Sequence, residues 1–361
     1  MMSLAFGSTA RAGAGALLLI FIGSGWAQTL VENPAKPLAK DAGRVLTLKE
    51  VKRITDESGE FFFKYPHNLQ IADDGSIFLA EAEQFLRFSA EGEFLGNLYK
   101  KGQGPGEIGR EFSYHLRGKD LFVQDMNSQR FWRADLDGRY QESISLAGRD
   151  YRGFMGILPD GFLFWKSVYP PPNERTGKLM EISNTLVLLD RDGSERRAVA
   201  TFRPKEFLGN NSGMSWDPSI LAISLDRNFL YAVHSRDYVV EVVDLATGTP
   251  VKRFKRIYPK VGHVEADWEP DFRKRTGAPK IEFEPDIDDL FAVEDGLWVA
   301  TSTNDKAKGR LIDVFDEDGR FIDSFFLGAG RSLMAVQDGV IFCQEKKEDE
   351  TITIVKYRIA K

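Results

Sequence analysis

The feature that most limits what this chain can become is its self-similarity. A turn carrying Asp or Gly, a short strand of β-branched and aromatic residues, a second strand, another Gly turn and a further strand recur from Asn68 to Ile359. The copies cover 68–98, 114–146, 153–166 resumed at 184–202 after an insertion, 220–254, 288–327 and 331–359. A unit of this kind cannot bury its apolar faces alone, so neighbours must stack. The first five copies supply four strands each and the sixth only three. Before them stands the alternating stretch RVLTLKEVKRI, Arg44 to Ile54, with no repeat of its own. It is expected to be the missing outermost strand of the last copy, which would remove the open edge at each end of the array. The predicted fold class is therefore all-β, a six-bladed β-propeller of four-stranded antiparallel blades, with the ring closed by the N-terminal strand pairing with the last blade. No Pro/Ser linker or charge block divides 44–361, so one domain is expected; an open β-sandwich or two β domains is the alternative.

The ends and the composition bound the compartment. Arg11 precedes the apolar run ALLLIFIG, and Gly25 and Ala27 flank Trp26 at a spacing that signal peptidases accept. Residues 1–27 are thus expected to be a signal peptide and the protein to be exported, either periplasmic or secreted; an uncleaved anchor is the alternative. The apolar run is far shorter than a membrane span needs, so no transmembrane span is expected after cleavage. Residues 28–43, with two prolines and mixed charges, read as a leader of low order. The net charge of −6 lacks the basic surface that nucleic acid requires. Cys343 is the only cysteine, so no internal disulfide can form and the core alone must hold the fold.

The stretch Tyr65 to Gly109, YPHNLQIADDGSIFLAEAEQFLRFSAEGEFLGNLYKKGQGPGEIG, resembles the NHL-type repeat. A proline-led first strand, a D-G turn, a second Gly turn and a G-x-G-P-G-E linker follow in the family's order. The chain is similar in this to exported bacterial six-bladed propeller proteins that carry the same element. The likeness implies the fold and hardly any function, because propellers host binding modules, lyases and hydrolases alike. The linker Gly102 to Glu107 reads as the crossing from one blade to the next. A Walker loop would need Lys-Ser/Thr and a following helix, and neither is present. An anion held by its backbone N–H groups is the alternative.

With strands a to d in each copy, the a–b and c–d turns are short and share one face by strand direction. The long segments, Ser167–Ser183, Ser302–Gly309, Arg203–Pro218 and Arg256–Asp286, share the other. A site over the channel is expected on that loop-rich face. Ends of strand b give Glu81, Asp125, Lys166, His234, Thr301 and Gln344; starts of strand a add His67, Asn68, Tyr114, His115, Arg152, Asp288, Asp289, Arg331 and Ser332. Of these, Glu81, Asp125, Lys166, His234, Arg152 and Arg331 are the candidate ligand-binding residues. The bland alternative is that strand ends are polar because they meet water.

No serine elbow and no acid–base pair at fixed spacing is present, so catalytic residues are not assigned. The expected function is binding of a protein, peptide or glycan of the cell envelope, without catalysis and without a cofactor. The alternative is a metal-assisted lyase or lactonase at the same channel mouth, with His67, Asn68 and Asp125 as weak candidate ligands for zinc or calcium. The turns DLDGR and DEDGR have their glycine too early for a calcium loop and read as hairpin turns.

Overall fold

The computed structural model describes residues 29–146, 151–175, 177–209, 213–347 and 349–360. The expected signal peptide lies outside them. Six sheets built on four antiparallel strands follow one another along the chain, the first five with strands a to d in sequence order and the sixth with a to c. The a strands are His67–Ile71, Phe112–Arg117, Tyr151–Leu158, Ser219–Ile223, Ile287–Val293 and Arg331–Gln337. Strand b is the most apolar: Ile77–Glu81 is buried along its whole length, because both of its faces are covered. The turns between strands c and d close on glycines at positive φ. At Gly319 (φ 79°) an added Cβ would stand 2.7 Å from Phe254, so that turn also seats the fifth sheet on the fourth.

The core is divided among the sheets rather than enclosed by one. Among the described residues six apolar clusters form, and five of them each join two sheets that are consecutive in the chain. The sixth joins the last sheet to the first: Phe342 and Ile354 pack with Leu69, Ile77, Leu86 and Phe88. Ile54 belongs to the same cluster, on a strand that precedes every repeat.

That strand carries the expected pairing. We label the three strands ahead of the first sheet β1 (Thr29–Asn33), β2 (Arg44–Val45) and β3 (Leu48–Ile54). β3 runs antiparallel to Ile352–Ile359, with Ile54 opposite Ile354 and Leu48 opposite Ile359, and so completes the sixth sheet. The expectation of one strand over 44–54 needs correction, since β2 instead adds in parallel to the fifth sheet. The low-order leader is a larger correction. β1 adds in parallel to Thr249–Arg256 of the fourth sheet. Asn33 Nδ2 donates to Lys255 O (3.2 Å) and Gly319 O (2.8 Å), while its Oδ1 accepts from Phe321 N (2.9 Å). Beyond it, Ala39 and Gly43 donate to Ile322 O and Ser324 O, and Arg44 forks onto Asp323. The segment is a strap over the outer edges of the fourth and fifth sheets. Its order comes from unpaired edge groups on those sheets, which need no periodicity in the strap itself.

The insertions build structure of their own. Lys178–Glu181, Lys205–Leu208 and Gly213–Asp217 form a small three-stranded sheet from two different connections, which places both on one side of the molecule. Helix α1, Glu269–Thr276, lies in the connection between the fourth and fifth sheets and lines a crevice with Met214 through Phe272. Ser302–Gly309 is not the long loop expected. Strand b of the fifth sheet runs on to Asp305 and turns straight into Gly309–Asp316. A bulge between Ala300 and Asn304 admits the extra length, and Arg310 pins it by donating to Thr301 O and pairing with Asp288.

Candidate functional site

The glycine-rich linker shows how this chain uses its polar strand ends. Asp125 closes strand b of the second sheet with a side chain 1% exposed. It accepts from the Ser128 hydroxyl (2.6 Å), from Gly109 N (3.1 Å) and Asn127 N (3.0 Å), and from Arg130 (3.0 Å). Burial pushes its pKa up, but the bonds from Ser128 and Arg130 outweigh this and hold it below the usual carboxylate value. Arg130 sits directly opposite Asp125 in the next strand. Its guanidinium donates to the carbonyls of Gly102 (3.3 Å), Gln103, Gly104 (2.7 Å) and Glu107 (3.1 Å). The linker therefore presents carbonyls to a resident cation. A backbone cradle for an anion would need the reverse polarity. Glu107 curls back to accept from Gly104 N (2.7 Å), and a Cβ on Gly102 would fall 2.0 Å from that carboxylate, so the spacing of the motif is a packing requirement.

Glu81, the equivalent residue of the first sheet, is treated alike. It is 1% exposed and takes backbone N–H groups from Lys64 (2.7 Å), Tyr65 (2.8 Å) and Ala82 (2.6 Å). Lys166 Nζ reaches Glu195 (3.3 Å), which the Tyr151 hydroxyl shares (3.2 Å). Arg331 donates to Glu345 (2.9 Å) over the ring of Tyr357, and Arg53 of β3 meets the same carboxylate (2.7 Å). Burial lowers the Arg331 pKa, yet the Glu345 partner leaves it raised overall. His234 is half-buried at a strand end with Nδ1 unpartnered among the described residues, and Arg152 is exposed. Glu81, Asp125, Lys166 and Arg331 are thus held by separate partners in their own surroundings. His67 is exposed, its Nδ1 against Tyr65 O, and Asn68 Nδ2 donates to Tyr114 O. Among the described residues no group of three or more His, Cys, Asp or Glu side chains is placed to hold a metal ion.

What does concentrate is exposed apolar surface. Phe62, Tyr65, Met126, Val168, Tyr169, Leu179, Ile257, Val264, Trp268 and Phe283 are all exposed and all lie in or at the ends of b–c and d–a connections. Among the described residues the other exposed large apolar side chains sit on the strap, on β3 or on outermost strands, with Leu225 alone in an a–b turn. Single exposed apolar groups are ordinary, but a bias of this kind toward one class of connection is not. The insertion between the fourth and fifth sheets is also braced internally. His263 bridges Glu284 (2.7 Å) and Glu269 of α1 (2.9 Å), and the bond to Glu269 leads in raising the histidine pKa.

Sequence reasoning missed Arg130, Arg117 and Arg227. The cross-strand placement opposite Asp125 was the available signal for Arg130. The other two stand at strand ends and in turns, where a charge reads as solvated.

No family model matches the chain, and no curated protein matches it. Among the described residues no helix is long and apolar enough to cross a membrane. Solved structures do resemble it. An inferred exported protein of Bacteroides fragilis superposes with a TM-score of 0.58 at 12% identity, covering 92% of this chain and 100% of its own. A member of the DUF4221 family from Bacteroides vulgatus does so with a TM-score of 0.50 at 9% identity, over 88% and 99%. At such identities the likeness is one of fold, a β-rich fold shared over nearly the whole chain with a protein assigned to export.

Proposed function

We propose that this chain is an exported six-bladed β-propeller, periplasmic or secreted, that binds a protein or peptide of the cell envelope through its loop-rich face and performs no chemistry there. The one-sided distribution of exposed apolar residues carries this reading. Interface cores favour aromatic and Met side chains that remain wet in the free protein. Aliphatic groups such as Val168, Ile257 and Val264 beside the rings favour a polypeptide over a glycan, because sugars stack on aromatic faces and gain less from branched aliphatic ones. The closed ring is supported by the sixth apolar cluster, which joins last sheet to first, and by β3 on the last sheet. A rigid toroid with all its insertions on one side suits a preformed docking surface.

Photo-crosslinking amino acids at Tyr65, Trp268 and Phe283, with Leu95 and Val251 as outer-strand controls, test this in intact cells. A discrete adduct expected at the first three positions should vanish when Trp268→Glu is added to the Tyr65 or Phe283 probe. Adducts of equal yield at the control positions, or none anywhere with folded protein present, would refute the reading.

A further inference from the structure

We propose that a cavity on the side of the tight turns, lined mainly by the third and fourth sheets and reached by the first strands of the first and second, binds a small organic anion with an apolar body, its charged group on Arg227 and the neighbouring Arg117. The cavity holds about 350 Å³ and is walled by Met155, Ile157, Leu163, Leu221, Ile223 and Leu230, with Arg227 at its rim. That volume lies in the range of small-molecule sites. Space remains because residue 156 is glycine: a Cβ there would stand 2.6 Å from Ile223 Cδ1.

The polar groups of the wall are used internally except for Arg227, and Arg117, outside the wall itself, lies near enough to act on its charge. Gln70 accepts from Leu116 N (3.1 Å) and donates to Tyr114 O (2.8 Å). Ser224 donates to Asp226 (2.6 Å). His115 Nε2 donates to Phe154 O (3.2 Å), and burial drives its pKa down to about 4, so the ring is neutral. The Arg227 guanidinium makes one hydrogen bond, to Ile157 O (2.6 Å), and that of Arg117 makes one, to the adjacent Leu158 O. Both therefore aim at the same end of one strand. Among the described residues neither has a carboxylate at ion-pair distance, whereas most half-buried arginines elsewhere in the chain do. Burial first and then the charge of Arg117 lower the pKa of Arg227, and only the charge of Asp73 opposes them. Arg227 also holds φ at 61°, a conformation that a side chain of this size adopts at a cost. Two half-buried like charges beside an apolar hollow lack a counter-charge, and a carboxylate or phosphate with an apolar tail supplies one while filling it.

Calorimetric titration of the full chain with sodium octanoate, octanol and inorganic phosphate tests the site. Saturable octanoate binding is expected, with octanol and phosphate each at least tenfold weaker. Arg227→Gly removes the charge and suits the positive φ, so it should fold and lose at least tenfold in octanoate affinity; Arg117→Gln should lose severalfold. Crosslinking at Trp268 should be unchanged in both variants, since it reads the opposite face. Absence of saturable binding, phosphate as tight as octanoate, or octanoate affinity unaltered in folded Arg227→Gly would each overturn the proposal.

Discussion

Replacing Arg130 by alanine probes whether the glycine-rich linker is organised around a resident cation. The substitution removes the fork from four linker carbonyls and from Asp125, a carboxylate with 1% of its side chain exposed. Deleting one member of a buried pair costs about 3–5 kcal/mol, because the survivor stays desolvated without its partner. Arg130 itself keeps 23% exposure, and Asp125 retains Ser128, Gly109 N and Asn127 N, which places the loss at the low end, about 3 kcal/mol. Arg130→Lys keeps the charge but cannot serve carbonyls on several sides at once, and should recover about half of that. Urea unfolding at neutral pH gives the stabilities. Hydrogen exchange at Gly102, Glu107 and Ile108, whose N–H groups bond within the linker, gives the local effect. The pH dependence has a definite sign. Asp125 has a depressed folded pKa, so its contribution is full above the unfolded value and disappears as pH falls through the folded one. Arg130→Ala should flatten that acid limb. A variant within about 0.5 kcal/mol of the parent, with linker protection unchanged, would refute the reasoning.

Ile54→Asp should cost about 3–4 kcal/mol by introducing an unpaired charge into the cluster that joins last sheet to first, measurable as a lowered urea midpoint. Asp313→Ala leaves Arg256, 4% exposed, without its carboxylate and the Tyr238 hydroxyl without its acceptor; about 4 kcal/mol is expected, and Asp313→Leu should be no milder. His263 has a raised folded pKa, so its bracing of α1 is complete below the unfolded value and is lost as pH rises through the folded one. Exchange protection over 269–276 should fall across that interval in the parent and show no such step in His263→Gln.

The sheet order and the turn classes were legible because both follow from local rules: apolar strands, Gly turns and strand direction. The closing strand was legible for a different reason: the last copy lacked a strand, and β3, which belongs to no copy, supplies it. β1 and β2 escaped notice because parallel addition to a free edge demands backbone groups rather than a pattern, and Asn33 looks like any loop asparagine until its three bonds are seen. The polar strand ends Glu81 and Asp125 were found by position, yet their oxygens are taken up by neighbouring backbone and by Ser128 and Arg130. A one-letter string does not separate a carboxylate facing solvent from one that organises a loop.

Pairing of Ile54 with Ile354 joins points about 300 residues apart, and closing so long a loop costs on the order of 5 kcal/mol in chain entropy. Synthesis proceeds from the N-terminus, so β3 waits without its partner until Ile352–Ile359 has emerged. The last sheet can mature only after its C-terminal strands arrive, which keeps the molecule open, slow to finish and threadable for as long as translation lasts. A truncated product ends with a strand-shaped gap that a neighbouring molecule's β3 fits as well as its own, and paired dimers are the form in which such fragments should accumulate.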